Sequence, residues 1–324
     1  MDRSYRLAAL AFAVAFALSA TAQPSRADEA FEFVALGDMP YKLPDDYKRF
    51  ETLIAAINKV KPAFSIHIGD IKSGSTPCSD ELIEKVHGYF KTFQQPLIYT
   101  PGDNEWTDCH REKAGKYNPL ERLAFVRKLF FSDDQSQGAA PITVTRQADV
   151  SDFKDMVENA RWTHGGVVFA TIDAVGSNNN LDRNAESADE FYKRDAANVA
   201  WIKEAFAQAK KDGAKGLVIA MQANLHLEAD PEINAGFRDT IDALTKGAID
   251  FGKPMLFIQG HQHVFIVDQP LKDKDDNPIE TASGLQVMGE HRVGAVRVRV
   301  DPSDATLFSF RPLMPQENLN QPAM

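Results

Sequence analysis

The sequence is short of cysteine, of positive charge and of long apolar runs, and each shortage excludes something. Cys78 and Cys109 are the only cysteines in 324 residues, and their spacing matches no zinc motif. Lys and Arg number 36 against 46 Asp and Glu, a formal net charge of −10. A surface of that sign repels nucleic acid and anionic lipid at long range, so no nucleic-acid partner is expected. Beyond residue 27 no stretch is long and apolar enough to span a bilayer. There is no internal repeat, coiled coil or low-complexity tract. What is present in quantity is core material: 44% hydrophobic residues, with 21 Phe and 3 Trp.

The first residues stand apart from that core. Arg3 and Arg6 precede an alanine- and leucine-rich run over residues 7–20, too short to cross a membrane comfortably. Ala20-Thr21-Ala22 and Ser25-Arg26-Ala27 follow as cleavage sites, so residues 1–27 read as a secretory signal peptide. The expected location is periplasmic or secreted, with no membrane span after cleavage. Removing three arginines and one aspartate leaves 33 basic against 45 acidic residues, a charge of −12. A small phosphorylated substrate would then need concentrated positive charge, for which a metal is the obvious source. In an oxidising compartment the even cysteine pair reads as a disulfide, Cys78–Cys109.

The chain then alternates strand and helix. Residues 31–36 (FEFVAL) read as a strand, residues 45–61 as a helix with apolar residues at helical spacing, and residues 63–68 (AFSIHI) as a second strand. A helix over 79–93 leads to a third strand over 96–99. Each strand ends in glycine followed by aspartate: Gly37-Asp38, Gly69-Asp70 and Gly102-Asp103. In a parallel sheet those ends share one edge, so three carboxylates converge and would repel one another without a cation between them.

Further helices are expected over 119–131, 188–211 and 234–249, and strand-like pieces within 142–145 and 162–172. Buried strands follow at 216–221 and 255–258, and residues 285–310 alternate as an antiparallel set. Gly176-Ser177-Asn178-Asn179-Asn180 reads as a turn-rich loop, more in keeping with solvent than with a ligand. His67 reads as a buried histidine and Trp106 as packing. The domain is bounded at 31–311, with residues 312–324 a loose tail.

Gly260-His261-Gln262-His263, at the end of the strand 255–258, is the most specific local signal. Two imidazoles two residues apart can reach one centre. With the three Gly-Asp strand ends before it, the sequence resembles the calcineurin-like metallophosphoesterases. Their ordered blocks appear here as Gly37-Asp38-Met39-Pro40, Gly69-Asp70, Gly102-Asp103-Asn104-Glu105, Gln222 and Gly260-His261-Gln262-His263. The second and fifth match the family pattern and the others depart from it.

The resemblance implies an α/β fold, a four-layer αββα sandwich of two mixed sheets. It implies two divalent metal ions bridged by Asp70, with Asp38 and His263 serving one and Asp103 and His261 the other. The oxygen-rich set favours Mn, Mg, Ca or Fe over a soft-ligand zinc site. Pro40 stands where the family has a histidine ligand, and Tyr41 is its substitute as a phenolate ligand or a hydrogen-bond donor. Gln222 replaces another histidine ligand, for which His226 is a second possibility. Asn104 replaces the histidine that would protonate a leaving group, and it can orient a phosphate but not transfer a proton. His110, beside Cys109, is the imidazole that could supply that acid; a surface histidine is the competing reading. The implied function is hydrolysis of phosphate mono- or diesters with a metal-activated water. The alternative is a catalytically degenerate member that binds a phosphorylated ligand or a partner.

Overall fold

The computed structural model describes residues 29–225 and 235–319. The expected signal peptide, His226 and Asn234 lie outside those residues. In chain order the strands are β1 (Phe31–Leu36), β2 (Ser65–His67), β3 (Leu97–Tyr99), β4 (Thr145–Arg146), β5 (Ala160–His164) and β6 (Val167–Thr171). They continue as β7 (Gly216–Ala220), β8 (Met255–Gln259), β9 (Ile266–Asp268), β10 (Ala282–Gln286), β11 (Ala295–Val300) and β12 (Phe308–Leu313). One sheet has the order β12-β11-β1-β2-β3, the other β4-β5-β6-β7-β8-β10-β9.

Side-chain alternation along β1 explains how the layers meet. Phe33 and Ala35 face the second sheet, where they join Phe64, Ile66, Phe169, Val218, Leu256 and Val296 in the central core. Val34 and Leu36 point the other way, onto Phe50, Leu53, Ile57, Val86 and Phe90 of the helices Asp45–Val60 and Asp80–Phe90. On the far side, Val168, Ala170, Leu217, Ile219 and Phe257 meet Trp201, Ile202, Phe206 and Leu244 of the helices Ala185–Lys211 and Arg238–Phe251. The result is helix, sheet, sheet, helix: the αββα sandwich of two mixed sheets.

β1, β2 and β3 run parallel, as do β6, β7, β8 and β10. Their carboxyl ends therefore gather at one rim. The helices start and stop on identifiable devices. Asn118 caps Pro119–Phe130 by accepting from Leu120 and Glu121, and Lys61 ends Asp45–Val60 in a left-handed conformation. Gly165 and Gly166, both at positive φ, supply the tight turn that joins β5 to β6.

Three expectations need correction. The strand foreseen near 142–145 is only Thr145–Arg146, because the preceding residues pair singly, Gln135 with Thr143 and Leu97 with Gln137. The stretch 285–310 is not one antiparallel set: β10 lies parallel to β8, and only β11 continues the alternation against β1 and β12. The tail is not loose from residue 312. β12 runs to Leu313, and the turn Gln316–Leu319 docks through Asn318, whose amide donates to the carbonyls of Arg49 and Val293.

Candidate metal centre

The loops that leave β1, β2 and β3 are stitched at their starts. Asp38 N–H donates to Gly69 O at 3.0 Å, and Thr100 N–H to His67 O at 3.1 Å. The contact is so close that a Cβ on Gly69 would lie 2.3 Å from Gly102 N, and one on Gly102 would lie 2.2 Å from Asp70 Oδ1. Glycine is therefore required before Asp70 and Asp103 by close approach of the two loops. Asp38, Asp70, His261 and His263 themselves adopt left-handed conformations, with φ of 54°, 56°, 71° and 62°. Strain of that kind in four non-glycine residues is concentrated at one rim.

The side chains meet there. Ligand atoms of Asp38, Asp70 and His263 all lie within 4.8 Å of one another, as do those of Asp70, Asp103 and His261. The three aspartates are buried. His263 Nε2 lies 3.6 Å from Asp38 Oδ1, and His261 Nδ1 lies 3.5 Å from Asp103 Oδ1. Asp38 accepts the His261 backbone N–H on both oxygens, at 3.0 and 3.2 Å. Burial pushes the Asp38 carboxyl up to about 8, against the pull of His261. Burial likewise raises Asp70 well above its ordinary range, helped by Asp103, Glu105 and Asp38. Burial works on Asp103 in the same sense, but His261 outweighs it and holds that carboxyl low. His261 loses basicity by burial and regains more from Asp103, Asp38 and Asp108, ending at about 9.

Tyr41 Oη donates to Asp70 Oδ2 at 2.8 Å and accepts from Asn104 Nδ2 at 2.8 Å. Burial and the neighbouring aspartates raise its pKa well above that of a free phenol. Asn104 N–H donates to Asp70 Oδ1 at 3.0 Å. Gln222 Oε1 accepts from Gly176 N–H at 2.7 Å, while its Nε2 lies among Asp70, Asp103 and His261. Thus Asp38, Asp70, Asp103, His261, His263, Gln222, Tyr41 and Asn104 are brought together. His110 is not. It is exposed, with Nδ1 on the carbonyl oxygen of Thr107 at 2.7 Å, and none of its hydrogen bonds among the described residues reaches the cluster. The short turn after Trp106 carries the ring outward.

Cys78 and Cys109 form the disulfide. Their sulfurs lie 3.5 and 3.6 Å from the carbonyl oxygen of Asn104, so the bridge packs against the loop that carries it. His67 is buried, accepts Gly69 N–H on Nδ1, and is pushed down to about 3 by burial; Trp106 is buried under Arg194. The buried reading of His67 and the packing reading of Trp106 hold, but His67 is not a fully satisfied histidine, since its Nε2 has no hydrogen-bond partner among the described residues.

The turn Gly176–Asn179 does face the site, contrary to the solvated reading. Ser177 Oγ donates to Asp103 Oδ2 at 3.2 Å and to Asp108 Oδ1 at 2.9 Å. Residues 177–180 run left-handed, a geometry that short polar side chains tolerate. Buried Arg194 holds the turn by donating to Asn179 Oδ1 and O. Asp108 and Lys72 were also missed. Asp108 pairs with Arg111 at 2.6 Å, and burial raises it to about 7. Lys72 is a buried ammonium that donates to Ser73 O at 3.1 Å; burial lowers its pKa while Glu105, Asp70, Asp108 and Asp103 oppose that.

No known protein family matches the sequence, and no curated protein does either. Among solved structures, GAP50, the anchor in the inner membrane complex of Plasmodium, is similar with a TM-score of 0.51 at 12% identity, over 89% of this chain and 89% of that one. Purple acid phosphatase PPD1 from yellow lupin (Lupinus luteus) seeds gives 0.48 at 12% identity, over 93% of this chain and 57% of that one. The likeness to GAP50 is one of fold.

Proposed function

We propose that this chain is an exported, metal-dependent hydrolase of phosphate esters on the calcineurin-like metallophosphoesterase plan. The observation that carries the reading is the pair of ligand groups joined at Asp70, with Asp38 and His263 on one side and Asp103 and His261 on the other. Buried carboxylates with two imidazoles suit a hard divalent cation such as Mn, Mg, Ca or Fe. A bound cation would polarise a phosphoryl oxygen and activate water for in-line attack.

The chain's own residues set the rest. Asp70 is held by three donors, which fixes both of its oxygens at the centre of the rim. Asn104 is positioned by Tyr41 and can orient a phosphate oxygen, but it carries no transferable proton. Esters whose leaving groups need little protonation, such as aryl phosphates, are therefore the favoured class.

Those same three donors on Asp70 favour a second reading, because they let an acidic cluster persist with less need of a cation. In that case the fold binds a phosphorylated ligand or a partner without chemistry. Assays on p-nitrophenyl phosphate and bis(p-nitrophenyl) phosphate, with chelated and Mn-reloaded protein, separate the two. The enzyme reading expects turnover that returns with Mn; metal-loaded protein without turnover on either ester selects the second. Export is tested by the intact mass of protein recovered outside the cytoplasm, with a start expected near Gln23 or Asp28.

A further inference from the structure

The two ligand groups differ in one respect that bears on how many cations the chain takes. Gln222 is buried, and its Nε2 lies 3.1 Å from Asp70 Oδ2, 2.9 Å from Asp103 Oδ1 and 3.0 Å from His261 Nδ1. Those three residues are the second group. The amide nitrogen thus stands where a cation shared by them would stand.

The direction of the amide is fixed by its other end. Gly176 N–H donates to Oε1 at 2.7 Å. Turning the amide over would set its NH₂ against that N–H and its oxygen against two carboxylates, losing the bonds to Gly176, Asp70 and Asp103 at once. The turn cannot easily withdraw, since Gly176 is packed so closely on His261 that a Cβ there would lie 2.2 Å from the imidazole Cε1. Arg194 anchors the turn from behind through Asn179. An amide nitrogen carries hydrogens and no free lone pair, so it cannot be a ligand. It neutralises Asp70 and Asp103 by hydrogen bonding instead.

Among the described residues the first group has no such plug. Asp38 receives the main-chain N–H of His261, and His263 Nε2 faces it at 3.6 Å. The side chain that reaches the shared Asp70 from this side is Tyr41, through an oxygen that a neighbouring cation tolerates.

We infer that the chain holds one divalent cation, at Asp38, Asp70 and His263, and that the Gln222 amide closes the second position. This rests on the metal reading above, and the test keeps the two apart. Mn(II) is titrated into purified protein, with stoichiometry read by elemental analysis after desalting and nuclearity by electron paramagnetic resonance. Wild type should bind one Mn per chain with an uncoupled spectrum. His263→Ala should lose it, and His261→Ala should keep it within a few-fold in affinity. Gln222→His should admit a second ion and give a spin-coupled signal. Circular dichroism of each variant checks that it is folded. Two Mn per wild-type chain overturn the inference, as does a single ion lost with His261→Ala and kept with His263→Ala. No Mn bound to any form overturns the metal reading itself.

Discussion

Tyr41 reaches Asp70 across 29 residues of chain, its hydroxyl donating to Oδ2 at 2.8 Å while accepting from Asn104. This one phenol ties the loops after β1, β2 and β3 together. Tyr41→Phe leaves the Asn104 amide short of a partner and should lower stability by about 1 kcal/mol. Cation affinity should not fall, because a donor competing for Asp70 is removed. Urea unfolding and Mn titration check both; a tenfold loss of affinity would show Tyr41 to be a ligand.

The Cys78–Cys109 bridge packs on the Asn104 carbonyl and closes a sequence separation of 31 residues. Cys78→Ala/Cys109→Ala should cost about 4 kcal/mol on the loop-entropy argument. The midpoint of urea denaturation measures it, and an unchanged midpoint would contradict the assignment of a stabilising role.

Arg194 is buried, donates to Asp173 O and to both oxygens of Asn179, and pairs with Glu190. Arg194→Leu strands those acceptors and should cost about 3–5 kcal/mol. Arg194→Lys should rescue little of it, because one ammonium cannot reproduce the planar fork. Full rescue by lysine would show that charge alone matters there.

Stability of the cation-free protein should fall as pH rises. Asp38 has a folded pKa raised to about 8, so the native state holds a proton that the unfolded chain has released, and stability declines from about pH 4 to 8. His261, raised to about 9, contributes stability below about pH 6.5 that is lost as pH climbs through 9. Both act in the same sense between pH 6.5 and 8. Thermal melts of chelated protein at pH 6.5 and 8 should show the drop, and added Mn should raise the melting temperature more at pH 8. A flat profile would contradict the assignment.

Much of the rim was legible in the sequence because it rests on local rules. The stretch FEFVAL marked β1, glycine followed by aspartate marked three strand ends, and Gly260-His261-Gln262-His263 marked a fourth. What was not legible depends on tertiary partners. The 176–180 turn reads as solvated because Ser and Asn usually are; Arg194 and Asn179, brought together by folding, anchor it against the site. The direction of the Gln222 amide has no sequence signal, since Gly176 sets it from 46 residues away. His110 shows the converse: neighbouring Cys109 in sequence does not turn its ring toward the carboxylates. Lys72 follows Asp70 by two residues, and only the packed loops show it to be buried beside the acidic rim.

The central claim is a divalent cation held through Asp70, and calorimetric titration of Mn(II) into chelator-stripped wild type and Asp70→Asn measures it directly. Asn keeps the shape of the side chain but removes the charge and turns one acceptor into a donor facing Tyr41 and Gln222. Wild type should bind Mn saturably, with proton release that grows when the buffer pH is below the raised pKa of Asp38. Asp70→Asn should remain folded and lose binding by at least a hundredfold. Equal binding by the two proteins, or none by wild type, would contradict the account.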